Sequence, residues 1–165
     1  MNFQRIAKHL LMSQWQLKRT FPPTTLTAIE KAITASERGH AGQIRFAVEG
    51  ALHGAPLYHG QSPRERAIEM FSQLRMWDTE CRNGVLIYLL LADRDVEIVA
   101  DRGVHTKVGS PEWETICRRM EVRFKQGTYE AGVIEGIQAV TEHMQKHFPA
   151  STHRRHELSD TPVVL

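Results

Sequence analysis

The sequence lacks the features that mark several large classes of protein. It has two cysteines, Cys81 and Cys117, and neither belongs to a CxxC pair or to a cysteine–histidine spacing typical of a metal site. No apolar run reaches the length of about 18 residues that a bilayer-spanning helix needs. The first residues also lack the continuous apolar core and the small-residue cleavage site of a secretory signal. We therefore expect a cytoplasmic protein whose cysteines are packed or surface thiols in a reducing compartment.

A large excess of charge is lacking as well. The formal net charge of the whole chain is +2, so the composition gives no reason to expect a nucleic acid partner. The sequence contains no P-loop and no Cys-x₅-Arg nucleophile motif, which leaves the catalytic residues, if any, unknown. With 41% hydrophobic residues among 165, the chain is long enough for one buried core and too short for two ordinary domains.

Acidic residues are absent before Glu30, and the segment 1–20 is basic. At 100° per residue its apolar side chains fall on one arc, so we predict a basic amphipathic helix that ends at Phe21-Pro22-Pro23. The basic residues are Arg5, Lys8, Lys18 and Arg19, and the apolar arc consists of Phe3, Ile6, Ala7, Leu10 and Leu17. Two interpretations stay open. The helix packs on its own domain, or it attaches the protein peripherally to an anionic lipid surface or a membrane-associated partner.

Helical and strand patterns alternate over residues 24–148, which we take as the main domain. Ser62-Pro63-Arg64-Glu65 forms a capping box with proline at the first helical position. Gly127 ends one helix, and Gly132 and Gly136 in the next helix indicate a close helix contact. Residues 150–165 have no periodic pattern and are predicted to be a mobile tail. The predicted helices cover 24–38, 62–77, 110–125 and 128–148, with a loop at 51–61 and a polar connection at 104–109.

Three strand patterns predict an α/β fold with a small mixed sheet. Residues 43–49 alternate apolar and polar as a half-buried strand does, whereas residues 84–91, GVLIYLLL, are apolar on both faces like a central strand. Because a helix separates these two strands, we expect them to run parallel. Ala92-Asp93-Arg94-Asp95 is a turn, so the third strand, with Val96, Ile98 and Val99, returns antiparallel.

The hairpin separates the aspartates of this region into two groups. If Ala92 pairs with Asp95, Asp101 lies opposite Leu86, and the register is fixed to within one or two residues. At about 3.3 Å per residue, Asp93 and Asp101 then stand roughly 20–25 Å apart and cannot share one ion. We interpret Asp93-Arg94-Asp95 as solvated turn residues.

A cation site is predicted at the end of the sheet that holds Asp101. The connection before the central strand brings Asp78, Glu80 and Asn83 to that end. Carboxylate and amide oxygens are the ligands that Ca²⁺ and Mg²⁺ prefer. His153 and His156 in the tail are a second, weaker pair of metal-ligand candidates.

The run NGVLIYLLLADRDVEIVADRG and the later stretch FKQGTYEAGVIEGIQAVTEHM resemble the TPM-domain family, which contains thylakoid-lumen photosystem-repair proteins and many bacterial relatives. The resemblance rests on Asn83-Gly84 before the apolar strand, Asp93-Arg94 in the turn, and the F-x-x-G-x-[YF]-x-x-G pattern from Phe124 to Gly132. It covers about residues 24–148 and implies a three-layer α/β/α sandwich. Some family members are reported as acid phosphatases or as Ca²⁺ binders, which implies the same two candidate activities here.

The chain departs from the family pattern after the second hairpin strand. Where members commonly carry G-Y-G-x-E, this sequence has Asp101-Arg102-Gly103-Val104-His105 and keeps only the second glycine. The comparison implies the loss of a flexible turn and the gain of a carboxylate where a cation could sit. Many relatives also have an export signal and a C-terminal membrane helix. This sequence shows neither, which predicts a soluble, shortened, bacterial-type member.

Three functional hypotheses follow from these observations. The first is a non-enzymatic accessory or binding domain that supports a membrane-linked partner through residues 1–20. The second is a phosphatase-like hydrolase in which Asp78, Glu80 and Asp101 hold Mg²⁺ or Ca²⁺, because a divalent ion can polarise a phosphoryl group. The third is a Ca²⁺-binding regulatory module without turnover. Since the sequence presents no paired nucleophile and base, we favour the first hypothesis.

Overall fold

The structure, a computed structural model, describes residues 2–151 and 156–165 and has one four-stranded sheet in that part of the chain. The strands lie in the order β3-β2-β1-β4, where β1 is Gln43–Glu49, β2 is Gly84–Leu90, β3 is Asp95–Ala100 and β4 is Val163–Val164. β1 runs parallel to β2 and to β4, and β3 runs antiparallel to β2. The mixed sheet, with its parallel crossover and its hairpin, confirms the predicted α/β fold class.

Helices cover both faces of this sheet. The described residues contain α1 (Phe3–Leu11), α2 (Gln14–Thr20), α3 (Pro23–Ser36), α4 (Ala55–Tyr58), α5 (Pro63–Gln73), α6 (Arg102–His105), α7 (Ser110–Lys125) and α8 (Tyr129–His147). The predicted capping box at Ser62 and Glu65 opens α5, with both reciprocal hydrogen bonds present. None of the helices in the described residues has the length and apolar character needed to span a bilayer.

Alternate side chains of β2 enter two separate cores. Val85, Ile87 and Leu89 pack in the core on the α3, α7 and α8 side, whereas Leu86, Tyr88 and Leu90 pack in the core that α5 closes. β1 is buried on both faces as well, apart from Arg45. The prediction of a half-buried β1 was therefore wrong, because Gln43 and Glu49 are buried together with its apolar residues.

The first twenty residues form two helices, so the prediction of one continuous helix was wrong. Ser13 interrupts the segment and caps α2 with a complete capping box to Gln16. The predicted loop 51–61 contains α4, and the predicted connection 104–109 begins inside α6. In α5, Ile68 is 48% exposed, whereas Met70 is buried.

The end of the chain joins the sheet, which corrects the prediction of a mobile tail over 150–165. Val163 and Val164 pair with Ala47 and Val48, and the Leu165 N–H donates to the Val48 carbonyl at 2.9 Å. Part of that prediction, together with His153, falls on residues 152–155, which lie outside the described residues. The strand is only two residues long, too short to produce a periodic pattern.

The hairpin register differs by two residues from the one predicted. Leu90 pairs with Asp95 and Val85 with Ala100, and the Asp101 N–H donates to the Gly84 carbonyl at 2.9 Å. The turn is longer than expected because Leu91 leaves the ladder and Arg94 adopts a left-handed conformation with φ of 53°. Asp93 and Asp101 nonetheless lie at opposite ends of the hairpin, as predicted.

The predicted close helix contact lies between α7 and α8. A Cβ atom at Gly132 would lie 2.8 Å from the Cβ of Arg123 and 2.8 Å from Cε1 of Phe124. We expect Gly132→Ala to lower the free energy of unfolding by about 1–3 kcal/mol, because the two helices would have to separate. Urea unfolding measures this loss. Gly109→Ala is the matched control, since its Cβ would have no contact under 3.3 Å. An equal loss in both variants would contradict the close-contact account.

Candidate functional site

Asn83 and Asp101, two of the four predicted metal ligands, occupy neighbouring positions where β2 begins and β3 has ended. Asp101 caps α6, and its Oδ1 accepts the Arg102 N–H at 2.7 Å. Its Oδ2 is buried and accepts no hydrogen bond in the described part of the chain. The Asn83 side-chain amide donates to the Ala41 carbonyl at 3.0 Å, and its Oδ1 is likewise buried without a donor among the described residues. Two oxygen atoms of the kind that hard cations bind therefore stand at this end of the sheet.

The other two predicted ligands, Asp78 and Glu80, are exposed on the preceding loop. Asp78 pairs with Arg75 at 2.8 Å, and the Glu80 N–H donates to the Glu157 carboxylate at 3.2 Å. Within residues 2–151 and 156–165, the ligand atoms of Asp78, Glu80 and Asp101 do not all lie within 4.8 Å of one another. The four-residue metal site stays a prediction, and Asn83 and Asp101 are its buried half.

Backbone oxygens approach the same place. A Cβ at Gly103 would lie 2.5 Å from the Arg82 carbonyl oxygen and 2.8 Å from that of Cys81. Arg82 itself adopts a left-handed conformation with φ of 49°. The glycine that the sequence retains from the family pattern is thus required because two carbonyl groups press against it.

Ion pairs fill the opposite end of the sheet, where parallel strands β1 and β2 terminate. Asp93 accepts a hydrogen bond from Arg5 Nε at 2.9 Å and contacts His9 Nε2 at 3.1 Å. The buried His9 ring accepts the Leu52 N–H at its Nδ1, at 2.9 Å. Because Nδ1 is the acceptor, we assign the ring proton to Nε2, which donates it to Asp93. Asp93 therefore binds two side chains of α1. The interpretation of Asp93 as a solvated turn residue missed this role.

A second polar network lies at the same end of β1. Arg66 donates two hydrogen bonds to Glu49, at 2.8 and 3.0 Å, and the Tyr88 hydroxyl donates to Glu49 at 2.6 Å. Burial and the Glu49 carboxylate raise the pKa of Tyr88, and the hydrogen bonds to Glu49 raise the pKa of Arg66. The crevice where α/β sheets usually bind ligands is thus occupied by the chain's own ion pairs. Sequence reasoning missed this network because Glu49 was taken as an exposed letter of a half-buried strand.

The packing of α1 leaves its apolar side exposed. His9 is fully buried, with Arg5 and Ile6 half-buried on either side of it. Phe3, Leu10 and Leu11 are 73%, 61% and 77% exposed, and Trp15 on α2 is 64% exposed. This set, Phe3, Leu10, Leu11 and Trp15, is called the apolar patch below. Of the predicted apolar arc, Leu17 is buried and Ile6 packs against the core, whereas Phe3 and Leu10 face away from it.

A cleft of about 500 Å³ lies between β3 and α7. Burial, followed by repulsion from Glu97 and Glu121, raises the pKa of Asp95 to about 7. Burial raises the pKa of the Cys117 thiol in the same cleft to about 12, which makes that thiol a poor nucleophile. Arg64 lines the cleft and donates to the Ile98 carbonyl at 2.6 Å. The cleft therefore collects acids beside the edge strand but contains no activated nucleophile.

The raised pKa of Asp95 makes stability depend on pH. Between about pH 4 and 7 the folded protein binds more protons at Asp95 than the unfolded chain does, so this group's contribution to stability falls as the pH rises through that window. Asp95→Asn removes this titration. The free energy of unfolding of the variant, relative to that of the parent protein, should therefore be higher at pH 8 than at pH 4.5, by about 1–2 kcal/mol after solvent screening. Urea unfolding at both values measures the difference. The exposed Asp78→Asn is the control, and a pH-independent effect of Asp95→Asn would contradict the expectation.

Comparisons with known proteins agree with this architecture. A solution structure of the BA42 protein from the bacterium Bizionia argentinensis is 29% identical, with a TM-score of 0.75 over 86% of this chain and 93% of that one. Two further solution structures share the fold. One is the N-terminal domain of a P. gingivalis protein, which is 21% identical with a TM-score of 0.58. The other is the N-terminal domain of the cg2496 protein from Corynebacterium glutamicum, which is 12% identical with a TM-score of 0.56. Each covers 82% of this chain and 81% of its own. No curated protein matches. The family model of the TPM domain matches residues 16–143, and the chain therefore belongs to the TPM domain family.

Proposed function

We propose that this protein is a non-enzymatic accessory domain that attaches peripherally to an anionic membrane surface through α1 and α2. The apolar patch is the observation that carries the proposal. Four large apolar side chains, all more than 60% exposed, lie on two consecutive helices. Exposed apolar clusters rimmed by polar residues are typical of interaction sites.

The polar contacts of α1 hold the patch outward. Arg5 and His9 both bind Asp93, and Arg5 also donates to the Gln61 carbonyl at 2.8 Å. Turning the apolar side inward would break these contacts and leave the Asp93 carboxylate, which is 14% exposed, without its two partners. Burying an unpaired charge costs several kcal/mol, so the chain retains the outward orientation.

Charge favours an anionic lipid surface as the occupant of the patch. Lys8, Lys18 and Arg19 are exposed on the same two helices, and no acidic residue precedes Glu30. The Arg19 guanidinium lies over the Trp15 ring, 5.1 Å from its centroid. Basic residues beside tryptophan and leucine are the composition of helices that lie in the membrane interface. The domain would then act at the surface of a membrane from the cytoplasm.

Vesicle sedimentation tests the proposal. Leu10→Ser with Leu11→Ser should weaken binding to vesicles rich in phosphatidylserine by at least about tenfold, because two apolar side chains no longer enter the interface. The matched control replaces two exposed apolar residues elsewhere, Ile68→Ser on α5 and Val122→Ser on α7, which are 48% and 54% exposed. The control should bind like the parent protein.

Three outcomes would contradict the lipid proposal. Equal weakening by the control pair would show that general surface hydrophobicity drives binding. Equal binding to vesicles of neutral phosphatidylcholine would show that the basic residues play no part. A parent protein that binds no vesicle at all leaves a membrane-associated protein as the partner of the patch, and the lipid proposal fails.

A Ca²⁺ or Mg²⁺ site at Asn83 and Asp101 is the second candidate. Its specific support is that Asn83 Oδ1 and Asp101 Oδ2 are both buried and accept no hydrogen bond in the described chain. A hard cation would satisfy both oxygens, and Asp78 and Glu80 on the adjoining loop are the further predicted ligands. Such a site fits the Ca²⁺-binding module. It fits the phosphatase-like hydrolase only if the ion also polarises a substrate phosphoryl group.

A Ca²⁺ titration followed by amide chemical shifts tests this second candidate. Signals of residues 82–84 and 101–103 should move. Asp101→Asn should weaken the response about tenfold or more, because a neutral amide replaces a negatively charged ligand. Asp95→Asn, at the other end of β3, is the control and should change nothing. If the control weakens the response equally, or if no signal moves, the site is refuted. Hydrolysis of a phosphate monoester that Asp101→Asn abolishes would favour the hydrolase over the accessory domain.

A further inference from the structure

Glu37, His156 and Asp160 form a group of potential metal ligands that lies apart from every site described above. Glu37 follows the last turn of α3, and the other two residues precede β4. His156 Nδ1 lies 3.5 Å from Glu37 Oε2 and 3.8 Å from Asp160 Oδ1. One ligand atom from each residue lies within 4.8 Å of the others, the one such group of three among residues 2–151 and 156–165.

Both carboxylates accept a hydrogen bond from the chain, and one oxygen of each lies near the imidazole. The Ile44 N–H donates to Glu37 Oε1 at 3.3 Å, and the Thr34 hydroxyl donates to Asp160 Oδ2 at 2.6 Å. The Glu37 side chain is 1% exposed and that of Asp160 is 13% exposed. Asp160 Oδ1, the oxygen nearest His156, is buried and accepts no hydrogen bond from any described residue. Donors that fix the second oxygen of a carboxylate are typical of metal sites.

The separations fit coordination better than hydrogen bonding. N–H···O hydrogen bonds measure about 2.7–3.2 Å, which is shorter than both contacts of His156. Ligands about 2.0–2.1 Å from a tetrahedral zinc ion lie about 3.3–3.4 Å from each other. The geometry points to a Zn²⁺ site formed by Glu37 Oε2, Asp160 Oδ1 and His156 Nδ1, with water as the fourth ligand. His156 is 56% exposed, so the ion has a path from solvent.

Zinc at this position fastens the final segment of the chain to the sheet. The Glu157 and Leu158 N–H groups both donate to Gln43 Oε1 at 3.1 Å, and Val163 and Val164 pair with β1. A two-residue strand adds few contacts, so a metal bond at the start of the segment would contribute a large part of its attachment. The competing explanation is a protonated His156 bridging the two carboxylates, which binds no metal.

Zinc titration by calorimetry at pH 7, with amide shifts recorded in parallel, separates the two explanations. One equivalent of Zn²⁺ should bind, move the signals of residues 34–38 and 156–161, and slow amide exchange at residues 163–165. His156→Ala should abolish this response. Thr34→Val, an exposed position outside the coordination sphere, should weaken binding about tenfold, the usual effect of losing a hydrogen bond to a ligand. His53→Ala removes an exposed histidine elsewhere and should leave binding unchanged.

Three results would overturn the site. Binding that survives His156→Ala belongs to other residues. Equal weakening by His53→Ala indicates adventitious coordination by surface histidines. An absence of zinc-dependent shifts at residues 34–38 and 156–161 leaves the protonated histidine as the explanation. None of these results bears on the membrane proposal, because the apolar patch shares no residue with this group.

Discussion

Burial of β2 on both faces is the constraint on which the rest of the structure depends. Val85, Ile87 and Leu89 require one hydrophobic layer, and Leu86, Tyr88 and Leu90 require another, so neither face of the sheet can remain in water. α7 and α8 close the first face and α5 closes the second. A charged group that reaches these layers is stabilised by a partner inside them, as Glu49 is by Arg66 and Tyr88 beside β2.

The same requirement explains the unusual orientation of α1. Asp93 leaves β2 at the end where Leu52 also has an N–H group to satisfy, and His9 connects the two. α1 therefore contacts the domain through Arg5 and His9 and leaves Phe3, Leu10 and Leu11 exposed. A folded domain normally covers such side chains, and their exposure is the reason for proposing that α1 and α2 bind a surface.

Local patterns were sufficient to predict most of the framework. The run GVLIYLLL, apolar on both faces, predicted β2, and the capping box predicted the start of α5. The glycines of α8 predicted its close contact with α7. Three features were not predictable because they depend on distant partners. The orientation of α1 depends on its contacts with Asp93, which is far along the chain. β4 forms only because Val163 pairs with Ala47. The burial of Glu49 depends on its ion pair with Arg66, which lies on a later helix. For the candidate cation site, the predicted register placed Asp101 near Asn83 despite an error of two residues. The exposure of Asp78 and Glu80 on the preceding loop could not be predicted from the sequence.

The central claim is that the apolar patch of α1 and α2 enters a lipid surface. Spin labels at position 10 and at position 68, in protein with Cys81 replaced by serine, measure this directly through collisions with oxygen and with a water-soluble nickel complex. On anionic vesicles the label at position 10 should gain contact with oxygen and lose contact with nickel, because oxygen concentrates in the bilayer. The label at position 68 should not change. Identical behaviour of the two labels, or no change at position 10, would contradict the account.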